Sequence, residues 1–233
     1  MPSKSVVVII PAYNEQNSIA KVINAIPKKW VDEIIVCNNN STDDTAQNAL
    51  DAGATVVFEG QKGYGFACLK AIDYLKNKTQ KPDIVVFLDA DFSDFPEQLP
   101  SVVRPILEQG MDLVIGSRAL GKREENSMTP QQLFGNWLAT RLMRWLYGVH
   151  FTDLGPFRAI SYEALMRIKM RDTTYGWTVE MQLKAAKHKL KFVEVPVDYR
   201  QRIGVSKVSG TVRGTVLAGY KILLWIFKYY FEK

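Results

Sequence analysis

Three aspartates follow an apolar run in the first half of the chain. The run is 84–88, and Asp89, Asp91 and Asp94 come directly after it in the sequence FLDADFSD. A continuous apolar run of this length predicts a buried strand, so the acids would stand where the strand meets solvent. The Asp-x-Asp pair suits a hard divalent cation, which prefers oxygen ligands and often joins one or two carboxylates to substrate phosphates. The alternative is a solvated acidic turn, and Asp94, just before Pro96, is expected to cap the next helix.

The elements expected to position these acids alternate between strand and helix patterns. The predicted strands are residues 5–10, 33–38, 55–58, 84–89 and 112–117. The predicted helices are residues 18–26, a segment capped by Ser41 with Asp44 as its capping-box partner, 65–76, and a helix at 96–109 that Pro100 and Pro105 should kink. Such alternation predicts an α/β fold of Rossmann-like type, with a mostly parallel central sheet and helices on both faces.

Three polar segments are predicted to share one rim of this sheet. PAYNE, NNNSTDD and DADFSD lie far apart in the sequence, but each follows a predicted strand. In sheets of this kind, ligands bind beyond the carboxyl ends of the strands. We therefore expect the three segments to meet at a binding site.

The pattern changes after residue 117, where a polar loop begins. Helices are predicted at 133–147, after FTDLGPFRAIS, at 176–188 and at 211–231, and a strand at 192–200. A basic loop, QRIGVSKVSG, separates that strand from the last helix. We expect one main domain at 1–210 and, at 211–233, a C-terminal amphipathic helix that extends the same domain.

Composition and charge limit the classes of protein to which the chain can belong. Of the 233 residues, 47% are hydrophobic, which is typical of a globular chain with a sizeable core. The net charge is +6, and from residue 182 onward there are eleven Lys or Arg but three acids, so the basic charge is concentrated near the C-terminal end. A basic end can bind nucleic acid, phosphorylated ligands or an anionic membrane. No nucleic-acid-binding motif is present, and we expect no nucleic acid partner.

Cysteine usage and hydropathy indicate a cytoplasmic protein. Cys37 and Cys68 lie in apolar runs without metal-ligand spacing, and the two histidines are isolated. We expect reduced, packed thiols and no histidine metal site. The N-terminal apolar run is too short for a signal peptide, and no stretch reaches the ~18 uncharged apolar residues of a spanning helix. Membrane association is therefore expected to be peripheral, on the inner face of the membrane, or to depend on a partner protein.

A set of motifs carries a family resemblance. VIIPAYNE, NNNSTDDT, GYGFA, FLDAD, GSR and DLGPFRAI occur in this order and together resemble glycosyltransferase family 2, which has the GT-A fold. The resemblance runs from about residue 6 to 210 and is closest to the dolichyl- or polyprenyl-phosphate sugar synthase branch. It implies a metal-dependent, inverting transfer of a hexosyl group from a nucleotide-diphosphate sugar to a polyprenyl phosphate, with Mg2+ or Mn2+ as cofactor.

The resemblance also implies roles for individual residues. The implied nucleotide-binding residues are Pro11, Tyr13, Glu15, Asn38, Asn39, Gly63 and Asp89. Asp89 and Asp91 would form the metal site, with Asp91 most directly on the metal. The residues implied to meet donor and acceptor phosphates are Arg118, Arg158, Arg202 and Lys207, and guanidinium groups match phosphate oxygens in geometry. Arg118 could instead be a surface charge, Arg158 could form a buried salt bridge, and Tyr13 could simply pack.

Two departures from the family pattern bear on the substrates. Asn38 and Asn39 stand where the family often has an acid first, and that first position usually helps to read the base. An amide can match uracil, whereas guanine's two adjacent donors suit a carboxylate better, so we expect UDP rather than GDP. In YGWTVEMQ, Gln182 stands where the polyprenyl-phosphate branch usually has an acid, which leaves Glu180 as an ambiguous candidate base. A hydroxyl acceptor needs a base, and a phosphate acceptor does not.

The last predicted helix has the composition of an interfacial helix. Lys221 and Lys228 are seven residues apart on one face, among Trp and Tyr side chains that favour membrane interfaces. The apolar face of 133–147 could form a second membrane contact. The alternative is a helix packed on the domain or on a second subunit, which leaves a homo-oligomer open.

Other functions remain as alternatives to polyprenyl-phosphate transfer. One is a family 2 transferase with a hydroxyl-bearing lipid or glycan acceptor. A nucleotidyltransferase usually has a Gly-rich loop and a Lys after its first strand, where this chain has PAYNEQN. A third is a non-catalytic nucleotide-sugar-binding module. Transfer of sugar in the presence of Mg2+ or Mn2+ separates the catalytic possibilities from the last one.

Overall fold

The computed structural model describes residues 4–206 and 212–232, without the side chains of 212, 213 and 215. Its strands are β1 (Val6–Ala12), β2 (Glu33–Asn38), β3 (Thr55–Phe58), β4 (Ile84–Phe87), β5 (Leu113–Ser117), β6 (Arg158–Ser161) and β7 (Phe192–Pro196). Its helices are α1 (Ile19–Ala25), α2 (Thr45–Asp51), α3 (Tyr64–Asn77), α4 (Leu99–Gln109), α5 (Pro130–Tyr147), α6 (Tyr162–Ile168), α7 (Trp177–Lys187) and α8 (Val212–Phe231). Short 3-10 helices occur at Lys28–Trp30 and Pro96–Gln98.

The strands within residues 4–206 form one sheet in the order β3-β2-β1-β4-β6-β5-β7. Strands β1 to β4 pair in parallel, and β5 pairs in parallel with β7. Strand β6 is antiparallel to both β4 and β5, and its Arg158 is in register with Phe87 on one side and Ile115 on the other. The expected α/β fold with a mostly parallel sheet is confirmed, while the antiparallel β6 was missed in the PFRAI segment.

Both faces of the sheet are covered. In β1, Val7 and Ile9 face the core that includes α3 and α5 to α8, whereas Val8 and Ile10 face the core that includes α1, α2 and α4. Successive side chains of a strand point to opposite faces, so a strand buried on both sides must be apolar throughout. This explains why β1 reads as an unbroken apolar run.

Two of the helix starts that differ from the sequence prediction also differ in their capping. Helix α2 begins at Thr45, with Asp44 in the N-cap position and no side-chain cap bond, and Ser41 instead accepts a hydrogen bond from the Asn14 N–H at 3.0 Å. The predicted Ser41 capping box is therefore wrong. Helix α5 begins three residues earlier than expected, because Thr129 and Gln132 form a reciprocal capping box.

Helix α8 packs on the domain through one face. Trp225, Ile226 and Tyr229 are buried in the core shared with α5 and α7, and the Tyr147 hydroxyl donates to the Ile226 carbonyl at 2.5 Å. Its other side exposes large hydrophobic residues: Val216, Leu217, Tyr220, Leu224, Phe227, Tyr230 and Phe231. None of the described helices combines the length and hydropathy that crossing a bilayer requires.

Candidate active site

The acid pair lies where β4 ends. The Asp89 carboxylate accepts a hydrogen bond from the Tyr64 hydroxyl at 3.0 Å. One oxygen of Asp91 accepts from the backbone N–H and the hydroxyl of Ser93 at 2.9 and 2.5 Å. Its other oxygen, Oδ2, is 3.1 Å from a guanidinium nitrogen of Arg202. Asp91 is thus oriented by its own turn, with Oδ2 left for a positively charged partner.

The turn that carries Asp91 is strained and held by an arginine. Phe92 has a φ of 63°, a left-handed conformation that side-chain-bearing residues rarely adopt. The Arg200 guanidinium lies 3.6 Å from the centre of the Phe92 ring, and its Nε donates to the Phe92 carbonyl at 2.8 Å. A strained backbone conformation persists where several surrounding contacts hold it in place, and such positions are often found at functional sites.

The electrostatics of the acid pair fit a divalent cation. Burial and the neighbouring Asp91 charge raise the pKa of Asp89 to about 7. Among the described residues, no third His, Cys, Asp or Glu joins the two carboxylates in a metal-like cluster. Two carboxylates are a suitable protein share for Mg2+ or Mn2+, which fills its remaining positions with phosphate oxygens and water. The residues present therefore fit the expected metal.

Asp94 is not the helix cap that its position suggests. The 3-10 helix Pro96–Gln98 has Phe95 in its N-cap position, without a side-chain cap bond. Both carboxylate oxygens of Asp94 are buried, and within the described part of the chain neither has a hydrogen-bond partner. Burial, and then the charges of Asp89 and Asp91, raise its pKa well above the ordinary value. A raised pKa favours the neutral, protonated carboxyl group, so Asp94 is not part of the charged acid pair.

A first cavity of about 370 Å³ opens on one side of the acid pair. Its lining contains most of the predicted nucleotide-binding residues: Pro11, Tyr13, Glu15, Asn39, Gly63 and Asp89. The exposed Lys62 donates to the Tyr13 hydroxyl at 3.1 Å and lies over its ring. The cavity therefore combines an aromatic side chain, two cations (Lys62 and Arg202) and the acid pair.

Asn38 and Asn39 support loops in this structure. Asn38 is buried and accepts from the Ser41 N–H at 3.0 Å. The Asn39 amide donates to the carbonyls of Glu59 and Gln61 and accepts from the Gly63 N–H at 2.8 Å. These bonds occupy Asn39 and one face of Asn38, so the arrangement lends no support to base recognition by either amide.

Glycines let the start of α3 approach another loop closely. A Cβ on Gly63, whose φ is 155°, would clash with the Thr173 carbonyl oxygen, and one on Gly65 would clash with that of Asp172. The Phe66 N–H donates to the Thr173 carbonyl at 3.0 Å. This contact fixes the loop that continues into Thr174 and Tyr175.

A second cavity of about 330 Å³ lies on the other side of the acid pair. It also borders Asp89 and Asp91, and it adds Arg118, Trp177 and Tyr199 together with residues from α5 and α8, which are Gln131, Gln132, Gly135, Asn136, Ala218, Gly219 and Ile222. Tyr64, Thr174, Tyr175 and Arg202 border both cavities. We call these four residues the shared wall.

Arg118 is held by a buried ion pair. Its Nε and Nη2 both contact the Asp153 carboxylate at 2.7 Å, its backbone N–H donates to the same group at 2.8 Å, and the guanidinium lies 5.0 Å from the centre of the Tyr199 ring. Burial alone would raise the pKa of Asp153, but Arg118 lowers it below the ordinary value. Arg118 therefore lines the second cavity as a fixed cation, with Nη1 not engaged by Asp153.

Arg158 does not line either cavity. It is fully buried, and its guanidinium donates to the backbone carbonyls of Leu154, Gly155 and Thr178. Burial lowers its pKa to about 10. Arg158 therefore supports the DLGPF turn from the protein interior. It does not border the cavities in which it could contact phosphates, as the resemblance implied.

Glu180 is likewise buried away from both cavities. Its carboxylate accepts from the backbone N–H groups of Arg171 and Asp172, accepts from the Tyr229 hydroxyl at 2.8 Å and pairs with Lys184 at 2.9 Å. Asp172 in turn accepts from the Trp225 indole N–H and lies 3.3 Å from the Lys221 ammonium. Glu180 and Asp172 thus join α7, α8 and the loop leading to the shared wall, and the candidate base role of Glu180 has no geometric support.

Replacing Glu180 with glutamine should affect stability more than catalysis. We expect the free energy of unfolding to fall by about 3 kcal/mol, because Lys184 is left buried without its partner. The turnover of the folded fraction should fall less than about tenfold, whereas loss of a general base typically costs about 10²-fold or more. Chemical denaturation and single-turnover transfer assays on the same preparation measure the two effects. A turnover loss above a hundredfold with unchanged stability would restore Glu180 as the base.

The predicted phosphate-contacting residue Lys207 lies outside the described residues. Sequence reasoning missed Tyr64, Asp153, Tyr175 and Arg200. Tyr64 and Asp153 lie within GYGFA and DLGPFRAI, Tyr175 lies within YGWTVEMQ, and Arg200 directly precedes QRIGVSKVSG. The signal was therefore present in the motifs, but no residue-type rule singled these positions out.

Comparison with known proteins identifies relatives over nearly the whole chain. A family model described as glycosyl transferase family 2 matches residues 7–169. An uncharacterized glycosyltransferase of Mycobacterium tuberculosis is 34% identical over 226 residues, covering 94% of this chain and 96% of that protein. An undecaprenyl-phosphate mannosyltransferase of Micrococcus luteus is 30% identical, covering 90% and 89%. A UDP-N-acetylglucosamine–dolichyl-phosphate N-acetylglucosaminyltransferase of Methanococcus voltae is 28% identical, covering 95% and 94%.

A solved structure shares the fold. Glucosyl-3-phosphoglycerate synthase from Mycobacterium tuberculosis, in complex with Mn2+, UDP and glucosyl-3-phosphoglycerate, aligns with a TM-score of 0.77 at 22% identity. The alignment covers 97% of this chain and 80% of that one. At this identity the similarity supports the common architecture and leaves the substrates to be argued from the site.

Proposed function

The chain belongs to glycosyl transferase family 2, and from this premise we propose that it is an inverting, metal-dependent hexosyltransferase that moves sugar from a UDP-sugar to a polyprenyl phosphate. The observation that carries the proposal is the pair of cavities meeting at Asp89 and Asp91. One cavity suits a nucleotide diphosphate, and the other suits an anionic head attached to an apolar body.

The first cavity supports a nucleotide-sugar as the donor. Tyr13 offers a ring for a base, and Lys62 and Arg202 offer cations near the acid pair. Asp89 and Asp91 would hold the divalent cation, which when bound offsets the negative charge that builds on the departing diphosphate. UDP is favoured because a relative that covers nearly the whole chain is named for transfer from UDP-N-acetylglucosamine.

The second cavity supports an anionic acceptor. Arg118 and Arg202 border it, and among its described lining residues the acidic ones are Asp89 and Asp91. A hydroxyl acceptor needs a base, and Glu180 does not reach this cavity, whereas a phosphate oxygen is already anionic at neutral pH. Relatives that act on undecaprenyl phosphate and dolichyl phosphate favour the same acceptor class.

The two cavities allow an in-line transfer. Arg118 would hold the acceptor phosphate and Arg202 the donor diphosphate, so that one acceptor oxygen faces the anomeric carbon of the donor. That oxygen forms the new bond while the bond from the anomeric carbon to the diphosphate breaks on the opposite face, which inverts the anomeric configuration. Holding both groups in this geometry is the main task of the shared wall.

The exposed sides of α5 and α8 support a peripheral membrane location. Phe134, Trp137 and Trp145 of α5 are exposed, as are Tyr220 and Phe227 of α8. Aromatic side chains of this kind are enriched at membrane interfaces, and both helices also line the second cavity. A lipid acceptor could therefore reach the cavity from the membrane surface.

A matched pair of acceptors tests the proposal. The purified protein is incubated with Mn2+, a panel of radiolabelled UDP- and GDP-sugars, and either a polyprenyl phosphate or the corresponding polyprenol. We expect label to enter the organic phase with a UDP-sugar and the polyprenyl phosphate, and not with the polyprenol. Transfer to the polyprenol or to soluble hydroxyl acceptors would favour the alternative acceptor class. Absence of any transfer or donor hydrolysis would favour a non-catalytic binding module.

A further inference from the structure

Arg202 takes up the negative charge of the acid pair in this structure. Its Nη1 is 3.1 Å from Asp91 Oδ2, and its Nη2 is 3.1 Å from Glu15 Oε1. Its Nε is buried and has no hydrogen-bond partner among the residues that the structure describes. Arg202 also borders both cavities. The guanidinium therefore lies on the carboxylate oxygen that the cation of the proposed reaction would use.

The backbone around Arg202 is fixed, so its side chain is the part that can move. The Ile203 N–H donates to the Asp91 carbonyl at 2.9 Å, and the Arg200 N–H donates to the Ser93 carbonyl at 2.9 Å. Arg200 is further held between the rings of Phe92 and Phe95, at 3.6 and 4.1 Å from their centres. By contrast, the Arg202 side chain is 28% exposed and ends in a cavity.

A cation and the guanidinium cannot share Asp91 Oδ2 at low energetic cost. Like charges a few ångströms apart repel strongly in a partly buried site, where the effective dielectric constant is lower than in water. A divalent ion arriving alone would have to displace Arg202 from Asp91, which leaves Glu15 as the remaining carboxylate contact of the guanidinium. A nucleotide diphosphate arriving with the ion brings new oxygens for Arg202, which matches phosphate geometry well.

We propose that Arg202 is an exchangeable counter-ion that blocks the metal site until the nucleotide diphosphate arrives. Its pairing with Asp91 and Glu15 is exchanged for contacts with the diphosphate when the cation takes Asp91. The inference rests on the proposed function, because it assumes a diphosphate ligand beside the acid pair. It assigns Arg202 opposite effects on the two ligands, since it weakens binding of the free cation and strengthens binding of the nucleotide.

Metal binding without nucleotide tests this assignment. Free Mn2+ is titrated by electron paramagnetic resonance against the wild type, Arg202→Gln, Arg202→Lys and Lys62→Gln. We expect Arg202→Gln to bind free Mn2+ about tenfold more tightly, which corresponds to about 1.4 kcal/mol. Arg202→Lys keeps the charge and should stay within about threefold of the wild type. Lys62→Gln is the matched control, because it removes one positive charge from the same cavity without touching Asp91.

The affinity for nucleotide should change in the opposite direction to the affinity for free Mn2+. At saturating Mn2+, calorimetry should show that Arg202→Gln binds UDP about tenfold more weakly than the wild type. Unchanged or weaker binding of free Mn2+ by Arg202→Gln would overturn the inference, as would equal tightening by Lys62→Gln or Arg202→Lys. A wild type that binds Mn2+ but neither UDP nor GDP would instead overturn the proposed function, so the two failures are distinguishable.

Discussion

Asp91→Asn should reduce sugar transfer by about a thousandfold, close to 4 kcal/mol in the activation free energy. Asp91 Oδ2 faces the position at the rim of the sheet that a cation would occupy, and Arg202 lies 3.1 Å from it. The other oxygen of Asp91 already accepts two hydrogen bonds from Ser93. An asparagine Oδ1 can keep both bonds from Ser93, so the strained turn at Phe92 should persist. The loss should therefore appear in turnover and in Mn2+ binding, with the fold retained.

The matched control for this variant is Asp73→Asn on the exposed surface of α3. It makes the same chemical change and should leave turnover within about twofold of the wild type. Turnover is measured by radiolabelled transfer, Mn2+ binding by titration, and folding by circular dichroism. If Asp91→Asn transferred sugar as fast as Asp73→Asn, the acid pair would have no part in the reaction.

Asp153→Ala should lower the free energy of unfolding by about 3–5 kcal/mol, the largest stability effect we expect from a single carboxylate. Arg118 and Asp153 side chains are 10% and 2% exposed, and the alanine would leave the guanidinium buried without its partner. Urea denaturation followed by tryptophan fluorescence measures the loss. Because Arg118 lines the second cavity, transfer should fall as well.

Two comparison variants separate an unpaired buried charge from other causes. Lys78→Ala breaks an ion pair of 2.6 Å whose side chains are 33% and 18% exposed, and such a pair contributes less than about 1 kcal/mol. Replacing Arg118 and Asp153 together with apolar residues should cost less than Asp153→Ala alone, because no unpaired charge remains. A double variant as unstable as Asp153→Ala would show that packing, rather than the ion pair, determines the loss.

The same ion pair predicts a loss of stability in acid. The pKa of Asp153 is lower in the folded protein than in the unfolded chain, because Arg118 stabilises the charged form. Its contribution is complete above the unfolded pKa of about 3.9 and is lost as the pH falls through the folded pKa. Denaturation midpoints should therefore fall more steeply below pH 4 in the wild type than in the apolar double variant. Parallel curves would contradict this assignment.

The sequence predicted the parts of the site that depend on strand ends. Asp89, Asp91, Tyr13 and Glu15 follow apolar runs, and parallel strands bring the residues after their carboxyl ends to one rim. The confirmed α/β fold and the family resemblance depend on the same local patterns. Helix α5 began earlier than predicted because its capping box lies within a segment that reads as a polar loop.

Residues whose roles depend on distant partners could not be placed in this way. Asp153 contacts Arg118 across 35 positions, and Tyr229 contacts Glu180 across 49. Arg158 reads as a phosphate ligand in a motif, but the insertion of β6 between β4 and β5 buries it. Charge and motif position identified Arg118, Arg158 and Glu180 as candidates, whereas tertiary packing decided what each of them contacts.

The shared wall is a place where the two ligands of the proposed reaction can influence each other's binding. Tyr64, Thr174, Tyr175 and Arg202 belong to both cavities, so a ligand that shifts them in one cavity reshapes the other. Linkage requires that any factor by which the sugar donor changes acceptor affinity is also the factor by which the acceptor changes donor affinity. If binding of the first substrate orders the shared wall, the second substrate binds to an already ordered surface. The donor is then bound less tightly in the absence of the acceptor than in its presence.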